Sequence, residues 1–178
     1  MASQIVPVVE ARQHLSELFA LHHRRVLMAA YRITGSMADA EDVAQSVFLR
    51  LAGGGSAISN EGSYLYRAAI NGALDLLRRR NAAATEALDA AETIASQSSG
   101  SRPEAELSAR ELMQWLRKAL AELSERTAEM FTLRYVEELD NREIAALMQT
   151  SQAVVAVTLH QTRAKLKKRL KEMERGMK

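Results

Sequence analysis

The chain has 178 residues, of which 47% are hydrophobic, and its 24 Lys and Arg nearly balance its 22 Asp and Glu. This length and composition allow one large or two small domains with a buried core. Cysteine is absent and the four histidines have no metal-ligand spacing, so we expect no disulfide, no metal and no cofactor.

The sequence also gives an expectation about location. No apolar run is long enough to span a membrane, and residues 1–10 lack the charged start and apolar core of a signal peptide. We therefore expect a cytoplasmic protein that does not contact a membrane. The net charge of +2 is unevenly distributed, because the middle of the chain is acidic and its end is basic.

An amphipathic helix is predicted near the start of the chain. Apolar residues, Phe19 and Tyr31 among them, recur at helical spacing from Leu15 to Ile33, and Gly35 suits the end of this helix.

Ser36 can cap a second helix, whose apolar face comprises Val43, Ala44, Val47, Phe48 and Leu51. Its first turns carry the acids Asp39, Glu41 and Asp42, which are favourable near the positive end of a helix dipole. From the residues alone, a well-capped helix is sufficient to explain these acids.

A third helix follows a predicted flexible loop at Gly53–Ser56 and spans Ser63 to Arg80. Its apolar side comprises Tyr66, Ile70, Ala73, Leu74 and Leu77. A polar stripe on another side comprises Arg67, Asn71, Asp75 and Arg78. Arg and Asn bind phosphates and base edges, and a base can stack on the neighbouring Tyr64. The alternative is a solvent-facing stripe in which Asp75 pairs with Arg78 or Arg79.

Residues 83–106 are predicted to form a linker, because their composition turns to Ala, Ser, Glu and Thr with Ser96–Ser101 before Pro103. The first part, Ala83 to Ile94, also has the composition of a frayed helix.

Three helices are predicted after the linker. The first begins near Ser124, whose hydroxyl can cap it, and has an apolar set of Met130, Phe131, Leu133 and Tyr135. A short second helix contains Ile144. Ser151 can cap the third, in which Val155, Leu159, Thr162 and Leu166 share one face. Such a pair of helices with a tight connection indicates a helix-turn-helix. A helical hairpin that binds no nucleic acid has the same pattern.

The third of these helices continues into a cationic segment that includes Arg163, Lys165, Lys167 and Lys168, opposed only by Glu172 and Glu174. This charge favours binding to phosphates, although a terminal helix is often solvated in the same way.

Several of these segments, in the same order, closely resemble the extracytoplasmic-function (ECF) sigma factors. The resemblance in the front half rests on Asp39 to Leu51, which read DAEDVAQSVFLRL, and on Tyr64 to Arg79. In the back half it rests on Leu120 to Arg126, Glu143 to Ala145 and Leu159 to Leu166. It implies an all-α protein of two small helical domains joined by a flexible linker, the second a helix-turn-helix domain. The implied bounds are 10–82 for a region 2-like domain, 83–106 for the linker and 107–175 for a region 4-like domain.

The resemblance also implies partners and sites. The chain would be a sigma factor that binds bacterial core RNA polymerase through Asp39, Glu41, Asp42 and Gln45, without being an enzyme itself. It would melt promoter DNA at the minus-ten box with Tyr64, Arg67, Asn71, Arg78 and Arg79. In the minus-thirty-five box, the implied groove residues are Ser151, Ala153, Val154, Val157, Thr158 and Gln161. Arg163, Lys165, Lys167 and Lys168 would bind phosphates, and an anti-sigma protein is a further expected partner.

The chain departs from the family pattern in the groove-facing part of its last helix. Ala153, Val154, Ala156 and Val157 stand where relatives usually carry Thr, Ser, Lys and Arg, so this face is suited to thymine methyl groups or to another protein. Two other classes stay open from the residues alone. One is a helix-turn-helix regulator that does not join the polymerase core, and the other is a helical adaptor that binds no DNA.

Overall fold

A computed structural model describes residues 5–53, 60–90 and 104–176, which form helices and no strand. The helices in chain order are α1 (Ile5–Thr34), α2 (Met37–Ala52), α3 (Glu61–Ala90), α4 (Glu104–Ala121), α5 (Glu125–Tyr135), α6 (Asn141–Leu147) and α7 (Gln152–Gly176). The all-α prediction is therefore confirmed. Across the described ranges, no helix is both long enough and apolar enough to cross a membrane.

By their contacts, the residues divide into two compact units, Met1–Ala73 and Leu74–Lys178, with the division inside α3. Composition predicts that a linker begins at residue 83, but α3 continues to Ala90. Alanine and glutamate, which make up much of this stretch, are good helix formers, and this explains the continuation. Most of the predicted linker, residues 91–103, lies outside the described residues, as do residues 54–59 of the predicted glycine loop.

The first unit contains α1, α2 and the start of α3. Gly35 ends α1 with φ of 70°, a left-handed conformation that glycine adopts without steric cost, and its N–H donates to the Tyr31 carbonyl at 2.7 Å. Ser36 begins α2 as predicted, since its Oγ accepts from the Asp39 N–H at 3.4 Å. The core is formed by fully buried apolar side chains of all three helices, including Val26, Ala30, Ala40, Val47, Leu65 and Ile70.

A charged contact joins α1 to the first turn of α3 within this unit. The Nε2 atom of His14 lies 2.9 Å from both carboxylate oxygens of Glu61. The hydrogen bond and the negative charge of Glu61 raise the pKa of His14 above its ordinary value. The contact therefore favours the positive form of His14.

The second unit contains the three helices predicted for the helix-turn-helix, with α7 packed against both α5 and α6. Asp140 caps α6 in a complete capping box, in which its carboxylate accepts from the Arg142 and Glu143 N–H groups at 2.8 Å. Ser151 caps α7, accepting from the Val154 N–H at 3.2 Å. The core includes Leu133, Ile144, Val155 and Leu159.

Two details of this unit differ from expectation. Ser124 precedes α5 but makes no capping hydrogen bond to the backbone, because its Oγ donates to Thr127 Oγ1 at 2.8 Å instead. Glu138 and Gln149, in the connections before and after α6, have φ of 59° and 50°. Non-glycine residues seldom adopt these left-handed values. A Glu or a Gln in the sequence therefore does not indicate a tight turn.

Candidate functional site

The acidic start of α2 is divided between its buried and exposed faces. Asp39 is only 8% exposed and lies on the core side of the helix, whereas Glu41, Asp42 and Gln45 are exposed. Asp39 therefore presents much less of its side chain to a partner than Glu41 and Asp42 do, and its role in polymerase binding stays a prediction. Its position follows from helical geometry, since Asp39 and the buried Val43 are four residues apart.

An open groove of about 640 Å³ lies between α1 and α2, next to the exposed polar residues of α2. Its walls are mainly apolar, and its rim is polar. The lining comprises Arg12, Leu15, Ser16, Phe19, His23, Glu41, Gln45, Phe48, Leu49 and Ala52. Two of the predicted polymerase-binding residues, Glu41 and Gln45, thus stand beside an apolar depression in the surface.

Three rings in close contact line this groove. The Phe19 ring centroid lies 4.4 Å from that of His23 and 4.9 Å from that of Phe48. The sequence pattern assigned Phe19 to the core of α1, but this side chain is 46% exposed, and Leu49 is 64% exposed. Sequence reasoning missed these groove residues because a helical apolar pattern does not distinguish the core from an apolar depression at its edge.

The polar stripe of α3 contains residues of different exposure. Tyr64 is 38% exposed, while Arg67 and Asn71 are partly buried. The apolar side predicted for this helix is confirmed, since Tyr66, Ile70, Ala73, Leu74 and Leu77 are all buried. A ring accessible for base stacking and a partly covered Asn therefore occur on the same helix.

Hydrogen bonding along α3 matches part of the solvent-facing alternative. Arg78 Nη1 donates to Asp75 Oδ1 at 2.8 Å, and Arg79 Nε lies 3.5 Å from the Asp75 carbonyl oxygen. Asn71 Oδ1 and Arg78 Nη2 are buried without a hydrogen-bond partner among the described residues. A buried polar atom without a partner costs about 1–3 kcal/mol, so a ligand that reaches these side chains would gain by satisfying them.

Helix α7 has two separate faces. Val155, Leu159, Thr162 and Leu166 are at most 6% exposed, as their spacing predicts. Every residue assigned to the groove-facing surface, apart from the half-buried Thr158, is exposed: Ser151, Ala153, Val154, Val157 and Gln161. The structure therefore leaves the predicted recognition surface open.

The cationic end of α7 is also accessible. Arg163, Lys165, Lys167 and Lys168 are exposed. The neighbouring Arg169 is different, because its Nη2 donates to the carboxylate of Glu122, just after α4. Arg169 therefore helps to hold α7 in its unit, and the other four cations extend along the free surface.

Comparison with known families assigns both halves of the chain. The model of Sigma-70 region 2 matches residues 18–83, and that of Sigma-70 region 4 matches residues 113–166. The two matches include the α2 side of the groove, the polar stripe of α3, helices α5 and α6, and α7 as far as Leu166.

The individual proteins that the chain resembles are also sigma factors. The chain is 25% identical over 175 residues to the ECF RNA polymerase sigma factor SigW of Bacillus subtilis, with 89% of each chain covered. It is 27% identical over 162 residues to the RNA polymerase sigma factor YlaC of the same organism, with 89% of this chain and 93% of the relative covered. Among solved structures, it matches the sigma factor RpoE of Bartonella quintana, in complex with the anti-sigma factor NepR. That match has 18% identity, a TM-score of 0.48 and coverage of 89% and 98%.

Proposed function

We propose, because the chain belongs to the sigma-70 family of RNA polymerase sigma factors and to its ECF type, that it brings promoter recognition to bacterial core RNA polymerase. The observation that carries this proposal is the presence of region 2 and region 4 on one chain, at residues 18–83 and 113–166. The polymerase supplies the chemistry, and this chain acts as a specificity subunit in the cytoplasm.

The groove between α1 and α2 is the proposed polymerase-docking surface. Its apolar floor supplies contact area, and Glu41 and Gln45 at its rim, with the neighbouring Asp42, supply charge and hydrogen bonds. Apolar area surrounded by polar groups is the usual composition of a protein interface. A basic, partly apolar surface on the polymerase fits this arrangement.

The exposed part of α3 is the proposed site of promoter opening at the minus-ten box. Tyr64 offers a ring for an unstacked base, and Arg67, Asn71, Arg78 and Arg79 offer donors for phosphates or base edges. Asn71 and Arg78 each carry a buried polar atom with no hydrogen-bond partner in the part of the chain that the structure describes. Binding of a single strand that draws these side chains outward would satisfy both atoms.

The outward surface of α7 is proposed to lie in the major groove of the minus-thirty-five box. Its exposed cations follow the groove-facing residues along the helix, so they are placed to bind phosphates beside the bases that the first turns contact.

An anti-sigma protein is proposed as a further partner. When the chain is not bound to polymerase, the apolar groove between α1 and α2 is open to solvent, and a contiguous exposed apolar surface favours association with another protein. An inhibitor that covers the groove would compete directly with the polymerase.

Run-off transcription with bacterial core polymerase on a promoter library tests the proposal. We expect transcripts that depend on this chain and that start downstream of a shared pair of sequence boxes. A chain that bound DNA but supported no transcription with core would instead be a regulator. A chain that bound neither would be an adaptor.

A further inference from the structure

The outward face of α7 is apolar in its first turns and cationic further on. Side chains at steps of three and four residues, Val154, Val157, Gln161, Ala164 and Lys168, are all exposed and point away from the buried face. Val154 is 46% exposed and Val157 is 56% exposed. A surface that is normally expected to make polar contacts thus begins with two accessible branched hydrocarbons.

The same turns contain no Asp, Glu, Lys or Arg from Gln152 to Gln161. The commonest specific contact to guanine is a bidentate hydrogen bond from Arg or Lys, so this part of the helix cannot make it. Base readout by these turns can therefore use methyl contact by the exposed valines, together with hydrogen bonds from uncharged polar groups such as the Gln161 amide.

The position of the cations favours DNA over a protein as the occupant of this face. Lys168 lies eleven residues after Val157, which corresponds to about 16 Å along a helix. An anionic partner that contacts the valines therefore also meets the lysines. A stable protein interface buries at least about 1,000 Å², whereas the exposed apolar side chains of the first turns are only four and all small: Ala153, Val154, Ala156 and Val157.

We infer that Val154 and Val157 read the 5-methyl groups of thymine in the upstream promoter box. This inference rests on the proposed function, and it specifies what α7 recognises. In the major groove, thymine alone presents a methyl group. Adenine N7 accepts a hydrogen bond from an amide N–H such as that of Gln161, and the adenine N6–H donates one to the amide oxygen. The box therefore contains A·T pairs opposite the two valines.

Holoenzyme made from the full chain and core polymerase tests the inference on promoters with a randomised upstream box. Transcribed templates are selected, and each thymine of the selected box is then replaced by deoxyuridine, which removes the methyl group and keeps the base pair. We expect each critical replacement to weaken promoter binding about fourfold, the ratio that corresponds to about 0.8 kcal/mol for one buried methyl group.

The double variant Val154→Ala, Val157→Ala links this loss to the protein. Both positions are exposed, so the fold is expected to be retained, and the variant should bind thymine and deoxyuridine promoters equally. Leu112→Ala is the matched control, because it truncates an exposed side chain of α4 and should keep the wild-type response.

Three results overturn the inference. One is a selected box without thymine, and another is a wild-type holoenzyme that does not respond to deoxyuridine. The third is an equal response in the wild type and the double valine variant, since the methyl groups would then act through DNA shape. Failure of the proposed function would give a different result from these three, because no library member would then be transcribed. The inference would fall with it.

Discussion

Asp39 and Glu41 are two residues apart in the chain but lie in different environments. The Asp39 side chain is almost completely buried, and Glu41 and its neighbour Asp42 face solvent. Exposed charges contribute little to stability, whereas a buried side chain is difficult to replace by one of different size and charge. The three acids are therefore expected to respond differently to substitution.

We predict that the double variant Glu41→Lys, Asp42→Lys binds core polymerase much more weakly and keeps its helical content. The single variant Asp39→Lys is expected to lower the thermal unfolding midpoint. Core affinity by fluorescence anisotropy and helicity by circular dichroism are the measurements. Glu86→Lys with Glu111→Lys, which reverses two exposed acids elsewhere, is the matched control. Unchanged core affinity in a folded Glu41 and Asp42 variant would remove these residues from the docking surface.

The contact between His14 and Glu61 is predicted to depend on pH. The pKa of His14 is raised in the folded chain, so the stabilisation is fully present below the ordinary histidine pKa. It is lost as the pH rises through the raised pKa of the folded state. Nuclear magnetic resonance titration of the His14 ring is the measurement, and Glu61→Gln should lower its pKa. The same titration curve in that variant would contradict the assignment.

At the scale of single helices, two residues that precede helices have different roles. Asp140 accepts two backbone hydrogen bonds at the start of α6, and Ser124 accepts none at the start of α5. Loss of a side-chain cap costs about 1 kcal/mol.

We therefore predict that Asp140→Ala lowers the free energy of unfolding by about 1 kcal/mol and that Ser124→Ala lowers it by less. Trp115 is the only tryptophan and lies in the same unit, so its fluorescence in a denaturant titration reports the change. Equal losses in the two variants would mean that the cap hydrogen bonds do not determine the difference.

The cationic part of α7 carries a prediction about salt. Replacing Lys165, Lys167 and Lys168 by Gln should weaken binding of the full chain to duplex DNA of any sequence. Each phosphate contact contributes about −0.9 to the slope of log affinity against log salt, so three lost contacts should flatten the slope by about 2 to 3 units. Lys118→Gln, at an exposed lysine of α4, should leave the slope unchanged. An unchanged slope in the triple variant would show a solvated helix end.

The sequence predicts helices better than it predicts their surfaces. Spacing located the buried face of α7 and the caps at Ser36 and Ser151, because these depend on residues a few positions apart. Spacing failed for Phe19, which is exposed at a groove between two helices. The sequence also predicted that the Ser124 hydroxyl caps α5. That hydroxyl instead bonds to another side chain, which composition alone does not indicate.

At the scale of the whole molecule, the chain presents its proposed functions on separate surfaces. Polymerase docking is assigned to α1 and α2, promoter opening to α3 and upstream recognition to α7. This assignment came from the family resemblance. The residues alone could not supply it, because acids, an Asn and a Tyr on helices have ordinary structural explanations. The structure adds the groove and the burial of Asp39, which depend on tertiary packing and so are absent from any local pattern.

Separate surfaces predict that promoter opening and polymerase binding respond to different substitutions. Tyr64→Ala and Asn71→Ala should reduce promoter opening more than binding to core, since lost base stacking costs about 1–3 kcal/mol. Permanganate reactivity of promoter thymines measures opening. Tyr31→Ala, at an exposed tyrosine of α1, is the matched control. Normal melting in both α3 variants would leave the polar stripe as a solvated face.

The two faces of α7 have a consequence for how promoter choice evolves. Residues that hold the helix in its unit, such as Val155 and Leu159, are not the residues that face outward, such as Val154 and Val157. Exposed substitutions usually change stability by less than about 0.5 kcal/mol. After gene duplication, a copy of this chain is therefore free to acquire a new target sequence at these outward positions through folded intermediates at every mutational step.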